Sequence, residues 1–270
     1  MRIILLFIIS GLTNSICLAQ NSSDSTFQLL HEISIKSTCI IADNLQNIYI
    51  ATEKGQVIKF DKNGNQQFEY NNNRLGEVGK IDVRNPLTIL VYYPDLAVVV
   101  ILDRTLAPIK ELNLYDLAIL EPKGVALAND NNIWVYDEVA ALLKKVSQTG
   151  EILFESRNLN QLTRKNLSPS FVLEKNNLLY LSDLENGLFI FDNFGQLKQE
   201  IPIKGIARFQ VVGQQLFLKK EGKYFQLFLD TLEKEIVELP KIETTIDDVF
   251  INGQLVYLIG KKTIKAFQYN

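Results

Sequence analysis

Few side chains in this chain are equipped for chemistry, and that scarcity is the first constraint. The 270 residues hold one histidine, His31, and two cysteines, Cys17 and Cys39. A single histidine rules out a multi-histidine metal centre. A serine–histidine–acid relay would have to pass through His31, with partners and a cleft around it. Cys39 sits in the apolar run Thr38-Cys39-Ile40-Ile41 and reads as a small buried hydrophobe. Glycine-rich phosphate loops and dense calcium-loop acid patterns are absent from the sequence. Asp82, Asn85, Asn129 and Asp247 offer the oxygen donors that a hard cation requires. The run Asn129-Asp130-Asn131-Asn132 is better explained as a turn, because Asn and Asp bond their own backbone there. The expectation is a chain with no catalytic set, no metal and no cofactor.

Binding is the chemistry that remains. Tyr92, Tyr93 and Tyr136 stand just beyond apolar triplets, where a loop should begin. Exposed there, they would serve as interface anchors, and otherwise they cover loop backbone. Arg84, Lys123 and Arg208 lie on or near segments predicted to be innermost strands. They would attract an anionic ligand or a carboxylate, or else compensate neighbours such as Asp82.

The elements that position these residues repeat. The triplets Ile48-Tyr49-Ile50, Ile89-Leu90-Val91, Ile133-Trp134-Val135, Leu179-Tyr180-Leu181, Leu216-Phe217-Leu218 and Val256-Tyr257-Leu258 recur 37 to 46 residues apart. That is the spacing of propeller blades. Polar turn residues precede most triplets. A further strand follows each one, often closed by a tight turn at Gly64, Gly150 or Gly195, where glycine tolerates a positive φ. An aromatic fills the middle of five triplets, and its recurrence argues for packing between neighbouring blades.

The sixth unit lacks its fourth strand. An unassigned β-type segment, residues 27–35, precedes the first unit. Pairing it with the last unit closes the ring and protects sheet edges that would invite aggregation. The expectation is an all-β, six-bladed β-propeller whose N-terminal strand completes the last blade, as a single domain over residues 20–270.

The stretch Ala42-Asp43-Asn44-Leu45-Gln46-Asn47-Ile48-Tyr49-Ile50-Ala51, continued by Gly55-Gln56-Val57-Ile58-Lys59-Phe60-Asp61-Lys62-Asn63-Gly64, resembles an NHL-type six-bladed propeller repeat. Glu121-Pro122-Lys123-Gly124-Val125-Ala126 resembles the proline-glycine lead-in of the same repeat. The resemblance is sharp in the first, third and fourth units and diverged in the others. It implies a superfamily whose functions sit on one ring face and at the channel mouth. The fold also resembles that of six-bladed lactonases that hold calcium at the channel mouth, so metal-assisted hydrolysis is the alternative. A propeller binding a small ligand or glycan is a third reading. The segment around Ala19-Gln20 and the Asn, Ile and Lys usage resemble exported proteins of Bacteroidota.

The N-terminus supplies a location. Met1-Arg2 is followed by an apolar run over residues 3–12, and Cys17-Leu18-Ala19 places small residues at −3 and −1 of a cleavage site. The expectation is a signal peptide over residues 1–19 and an exported protein, periplasmic or at the outer-membrane periphery. The run is too short to span a membrane, which takes about 20 apolar residues. A lipid anchor at Cys17 is the minority alternative, because Asn14-Ser15-Ile16 ahead of it are a poor match. Net charge is −3 with the signs interspersed, which excludes a basic stripe for nucleic acid. The expected partner is a protein of unidentified kind. The inter-unit connection over residues 158–170, with Arg164-Lys165, is the longest and reads as a partner contact or a surface loop. The resulting reading is a non-enzymatic scaffold of the cell envelope.

Overall fold

The computed structural model describes residues 27–242 and 245–269. The 1–19 leader, Cys17 and the start of the propeller domain up to residue 26 lie outside the described residues.

The described residues begin with strand β1 (Phe27–Ser34). Blade one follows with β2 (Cys39–Ala42), β3 (Ile48–Ala51), β4 (Val57–Phe60) and β5 (Gln66–Tyr70). Blade two is β6 (Lys80–Asn85), β7 (Thr88–Tyr93), β8 (Val98–Leu102) and β9 (Pro108–Asn113). Blade three is β10 (Pro122–Leu127), β11 (Ile133–Asp137), β12 (Leu142–Val146) and β13 (Ile152–Glu155). Blade four is β14 (Pro169–Lys175), β15 (Leu178–Asp183), β16 (Gly187–Asp192) and β17 (Leu197–Ile201). Blade five is β18 (Phe209–Val212), β19 (Gln215–Lys220), β20 (Lys223–Phe228) and β21 (Lys234–Ile236). Blade six supplies β22 (Asp248–Asn252), β23 (Leu255–Ile259) and β24 (Thr263–Tyr269).

Each blade is a four-stranded antiparallel sheet in chain order, and β1 adds to the edge of β24 to complete the sixth. The closing register runs from Phe27 opposite Tyr269 to Ser34 opposite Thr263, with a bulge between Leu29 and His31. Neighbouring sheets touch through their first strands, β2 with β6 and β22, and β10 with β6 and β14. The first strands therefore face the axis, and the molecule is the six-bladed propeller that the triplet spacing and the missing strand require.

Alternation in the second strands builds the core. In β7, Ile89, Val91 and Tyr93 point into the wedge shared with blade one, while Leu90 and Tyr92 point into the wedge shared with blade three. Both sheet faces are buried, so these strands read as continuous apolar runs. The middle residue of every triplet, Tyr49, Leu90, Trp134, Tyr180, Phe217 and Tyr257, packs toward the following blade. Six such wedges close the circle. The last joins Tyr257, Ile264 and Ile33 of the completed sixth blade to Ile48, Ile50 and Phe60 of the first.

Tight turns recur for a shared reason. Asp61, Asp103, Ser147 and Asp192 each accept the backbone N–H groups two and four residues on. These side chains supply the acceptors that the hairpin between third and fourth strands otherwise lacks. Gly64, Gly150 and Gly195 take the left-handed position that ends three of these turns. In blade two Leu106 holds the same position at φ 62°, a conformation that costs a branched side chain about 1 kcal/mol or more.

Candidate functional site

Antiparallel order gives the ring two faces. One carries the blade-to-blade connections and the loops between second and third strands, and is called here the connection face. The other carries the remaining hairpins.

Tyr92, Tyr93 and Tyr136 do not stand exposed on the connection face. All three are buried. The expectation of exposed anchors is corrected by strand length, because β7 and β11 each run two residues past their triplets and keep the alternation going. Tyr92 therefore reaches blade three, where its hydroxyl donates to Pro122 O at 2.9 Å. Tyr136 reaches the lead-in to blade four and donates to Leu167 O at 3.1 Å. Tyr93 points backward and donates to Gly55 O of blade one at 3.4 Å. Burial holds all three phenols well above their usual value. They clamp blades together.

Exposure on the connection face belongs to their neighbours. Leu96 ends a 3₁₀ turn (Pro94–Leu96) and Tyr115 begins another (Tyr115–Leu117). With Leu120, Val139, Leu162 and Leu184 they form a set of large exposed apolar side chains on the loops of blades two, three and four. The loops beneath are stapled to one another. Leu114 N donates to Ala97 O at 2.9 Å, Glu138 N to Glu121 O at 2.9 Å, Leu159 N to Ala141 O at 2.8 Å and Gly205 N to Leu184 O at 2.8 Å. The long connection contains a short helix, α1 (Leu159–Thr163), capped by Asn158, whose side chain accepts from Gln161 N at 3.0 Å. Lys123 lies on this face, paired with Glu121 at 2.9 Å and Glu138 at 3.2 Å. Both carboxylates raise its pKa.

The channel holds a second feature. On β6, Ile81 and Val83 face blade one while Lys80 and Asp82 point the other way, and a bulge between Asp82 and Asn85 interrupts the alternation at Arg84, whose Nη2 lies 3.8 Å from Asp82 Oδ2. Asp82 is buried and accepts Leu127 N of blade three at 3.0 Å and Arg84 N at 3.2 Å. The Lys80 ammonium reaches across to carbonyls of two further inner strands, Val125 O at 2.7 Å and Val172 O, and stands 4.6 Å from the Phe171 ring centroid. Burial lowers its pKa to about 8, with Asp82 opposing the shift and Arg84 and Arg208 adding to it. Arg208 is exposed just ahead of β18, and its charge is felt at Cys39, Lys80 and Asp248. Burial pushes the Cys39 thiol and the Asp248 carboxyl up. The channel thus gathers Arg84 and Arg208 around Lys80 and leaves Lys123 outside. The sequence reading missed Lys80. Its signal was available in Lys80-Ile81-Asp82-Val83-Arg84, where charge alternates with apolar residues in an inner strand.

The oxygen donors proposed for calcium do not converge. Asp82 is engaged as described. Asn85 bonds Asn131 at 2.7 Å, and Asn129 bonds Asn177, which ties hairpin tips of blades two, three and four together. Asp247 lies just ahead of β22, on the connection face. Among the described residues no group of three or more His, Cys, Asp or Glu side chains is placed to hold a metal. His31 lies on β1 at the rim against Gly64, away from the channel.

No family model matches the chain, and no curated protein matches it in sequence. Among solved structures it is similar to the WD40 domain of Neurospora crassa Pan2, at 9% identity and TM-score 0.67, over 90% of this chain and 95% of that one. It is also similar to a catalytically inactive virginiamycin B lyase from Staphylococcus aureus with quinupristin, at 14% identity and TM-score 0.62, over 90% and 99%. A streptogramin B lyase aligns at 14% identity and TM-score 0.60, over 90% and 97%. At these identities the likeness shows the propeller fold alone. Because it embraces a WD40 domain and lyases alike, function has to be argued from this chain's own residues.

Proposed function

We propose that this chain is an exported, non-enzymatic binding propeller of the bacterial cell envelope, carrying NHL-like repeats, that holds a protein partner on its connection face. The carrying observation is the set Leu96, Tyr115, Leu120, Val139, Leu162 and Leu184, exposed together on three consecutive blades. A concentration of large apolar side chains on one face marks an interaction surface more than scattered ones do. The stapled loops beneath it reduce the ordering cost of binding. Export rests on the leader pattern over residues 1–19, and no helix among the described residues is long and apolar enough to cross a membrane.

The test replaces Leu120 and Val139, 62% and 64% exposed, by Asp. Partner capture from native envelope extracts should fall at least tenfold, or by about 1.4 kcal/mol, with an unchanged melting temperature. Leu45→Asp and Phe194→Asp on the opposite face should leave capture intact. Capture that survives Leu120→Asp/Val139→Asp in a folded protein places the contact elsewhere. The intact mass of the same preparation should begin at Gln20, and an acylated Cys17 would put the protein on a membrane leaflet instead.

A further inference from the structure

The two terminal nitrogens of Arg84 have no acceptor among the described residues. Its side chain is only 16% exposed, and Asp82 Oδ2 stands at 3.8 Å, beyond hydrogen-bond reach. Both terminal nitrogens are buried without a hydrogen-bond partner among the described residues. Asp82 cannot close the gap, because its oxygens are directed to the backbone N–H groups of Leu127 and Arg84 itself. A buried cation left with unmade bonds is costly. Most charged groups of this interior are matched with care. Lys144, for example, sits 3.0 Å from Asp137, and Glu174 receives two N–H groups. Lys80, on which the charges of Asp82 and Arg84 both act, supplies a second cation. Together Lys80, Asp82 and Arg84 leave one positive charge uncompensated, and Arg208 adds another toward the connection face.

We propose that the channel alongside β6 is a binding site for a small oxyanion group, held by the Arg84 fork and the Lys80 ammonium. The two terminal nitrogens of a guanidinium match two oxygens of a carboxylate, phosphate or sulfate, which a lone ammonium does not. The group must be small, because one lysine side chain on blade two spans to blades three and four. Arg208 at the connection-face end draws anions inward along the channel. Asp248 near Arg208 and Asp82 beside Arg84 offset part of this attraction. This site is separate from the apolar connection face, so either proposal can fail without the other.

The experiment is calorimetric titration of the full-length mature protein with sodium sulfate and, separately, sodium acetate, at constant ionic strength. Saturable binding of one of them is expected, and sulfate against acetate distinguishes a tetrahedral ligand from a carboxylate one. Arg84→Gln should weaken the binding at least tenfold, Arg84→Lys less so, and Lys123→Met not at all. Folding of each variant is checked by circular dichroism, and Arg84→Lys keeps the charge should the Gln variant misfold. Sulfate keeps its charge from pH 6 to pH 10, so affinity should fall as pH rises through about 8, where Lys80 loses its proton in the company of Asp82, Arg84, Cys39 and Arg208. Lys80→Met should abolish that pH dependence. Failure of both anions to saturate by about 10 mM, a weak affinity of about −2.7 kcal/mol, overturns the proposal. So does binding that Arg84→Gln and Lys80→Met leave unchanged.

Discussion

Trp134 donates its indole N–H to Glu174 at 2.7 Å, from the second strand of blade three to the innermost strand of blade four, and both side chains are buried. The other carboxylate oxygen receives Asn129 N at a long 3.4 Å. The Trp134 ring is held edge-on by Phe154 and carries Lys145 Nζ at 5.2 Å from its centroid. The indole is therefore the main donor to this buried acid. Trp134→Phe should cost about 2–3 kcal/mol, the loss of a hydrogen bond to a charged group, in addition to the volume lost. Adding Glu174→Leu removes the orphaned carboxylate, so the double variant should be more stable than the sum of the single losses predicts. Denaturant unfolding of the four proteins measures this. A coupling below about 0.5 kcal/mol would mean that the two residues act independently.

The buried tyrosines make a graded series. Tyr92→Phe and Tyr136→Phe remove hydroxyl contacts of 2.9 and 3.1 Å to the backbone of the following blade. Each should cost about 1 kcal/mol. Tyr93→Phe gives up only a 3.4 Å contact and should cost less. Alanine at any of the three opens a wedge between blades and should cost about 3–5 kcal/mol. None of the Phe variants should change partner capture, since no hydroxyl reaches the surface. Capture lost in a Phe variant of normal stability would return these residues to the interface.

The same residues show where sequence reading stops. The triplets were legible because both faces of a second strand are buried, so each yields a dense apolar run at blade spacing. The closing strand was legible because a six-unit ring with one missing strand has few ways to end. Gly124, read as part of a proline-glycine lead-in, has a backbone reason to be glycine, since a Cβ there would meet Val172 Cγ2 of the next blade at 2.3 Å. The side on which a residue emerges near a strand end was not legible, because it depends on where the strand stops. Tyr92 and Tyr93 belong to β7 and Pro94 to the turn, a boundary that apolar pattern does not mark. Exposed Leu96 and Val139 looked no different from core residues for the same reason. The alternation in Lys80-Ile81-Asp82 marks Lys80 as turned away from the apolar side of β6, but what it reaches was not legible, because Val125 O and Val172 O are backbone atoms 45 and 92 residues away.

Closure itself can be probed through pH. Removing residues 20–34 takes away β1 and with it Ile33, which fills the wedge between the sixth and first blades. It also bares the β24 edge, so the truncated chain should aggregate or sediment as oligomers. A monomeric truncation with unchanged melting would show that the ring does not depend on this strand. His31 gives a gentler handle. It packs against the turn of blade one so closely that a Cβ on Gly64 would come within 2.8 Å of its Nδ1. Burial lowers its pKa below 6.5, outweighing the Lys62 backbone and the Asp61 carboxylate, which raise it. Below about pH 6.5 the unfolded chain binds this proton more readily than the folded one, so stability falls as pH drops toward the folded value. Above pH 6.5 His31 is neutral in both states and contributes no pH slope. The melting temperature of the wild type should therefore drop more between pH 7.5 and 5.0 than that of His31→Gln, the shared carboxylates affecting both proteins alike. Equal slopes for the two proteins would mean that His31 protonates freely at the rim, and that the contact with the Gly64 turn does not seal the ring.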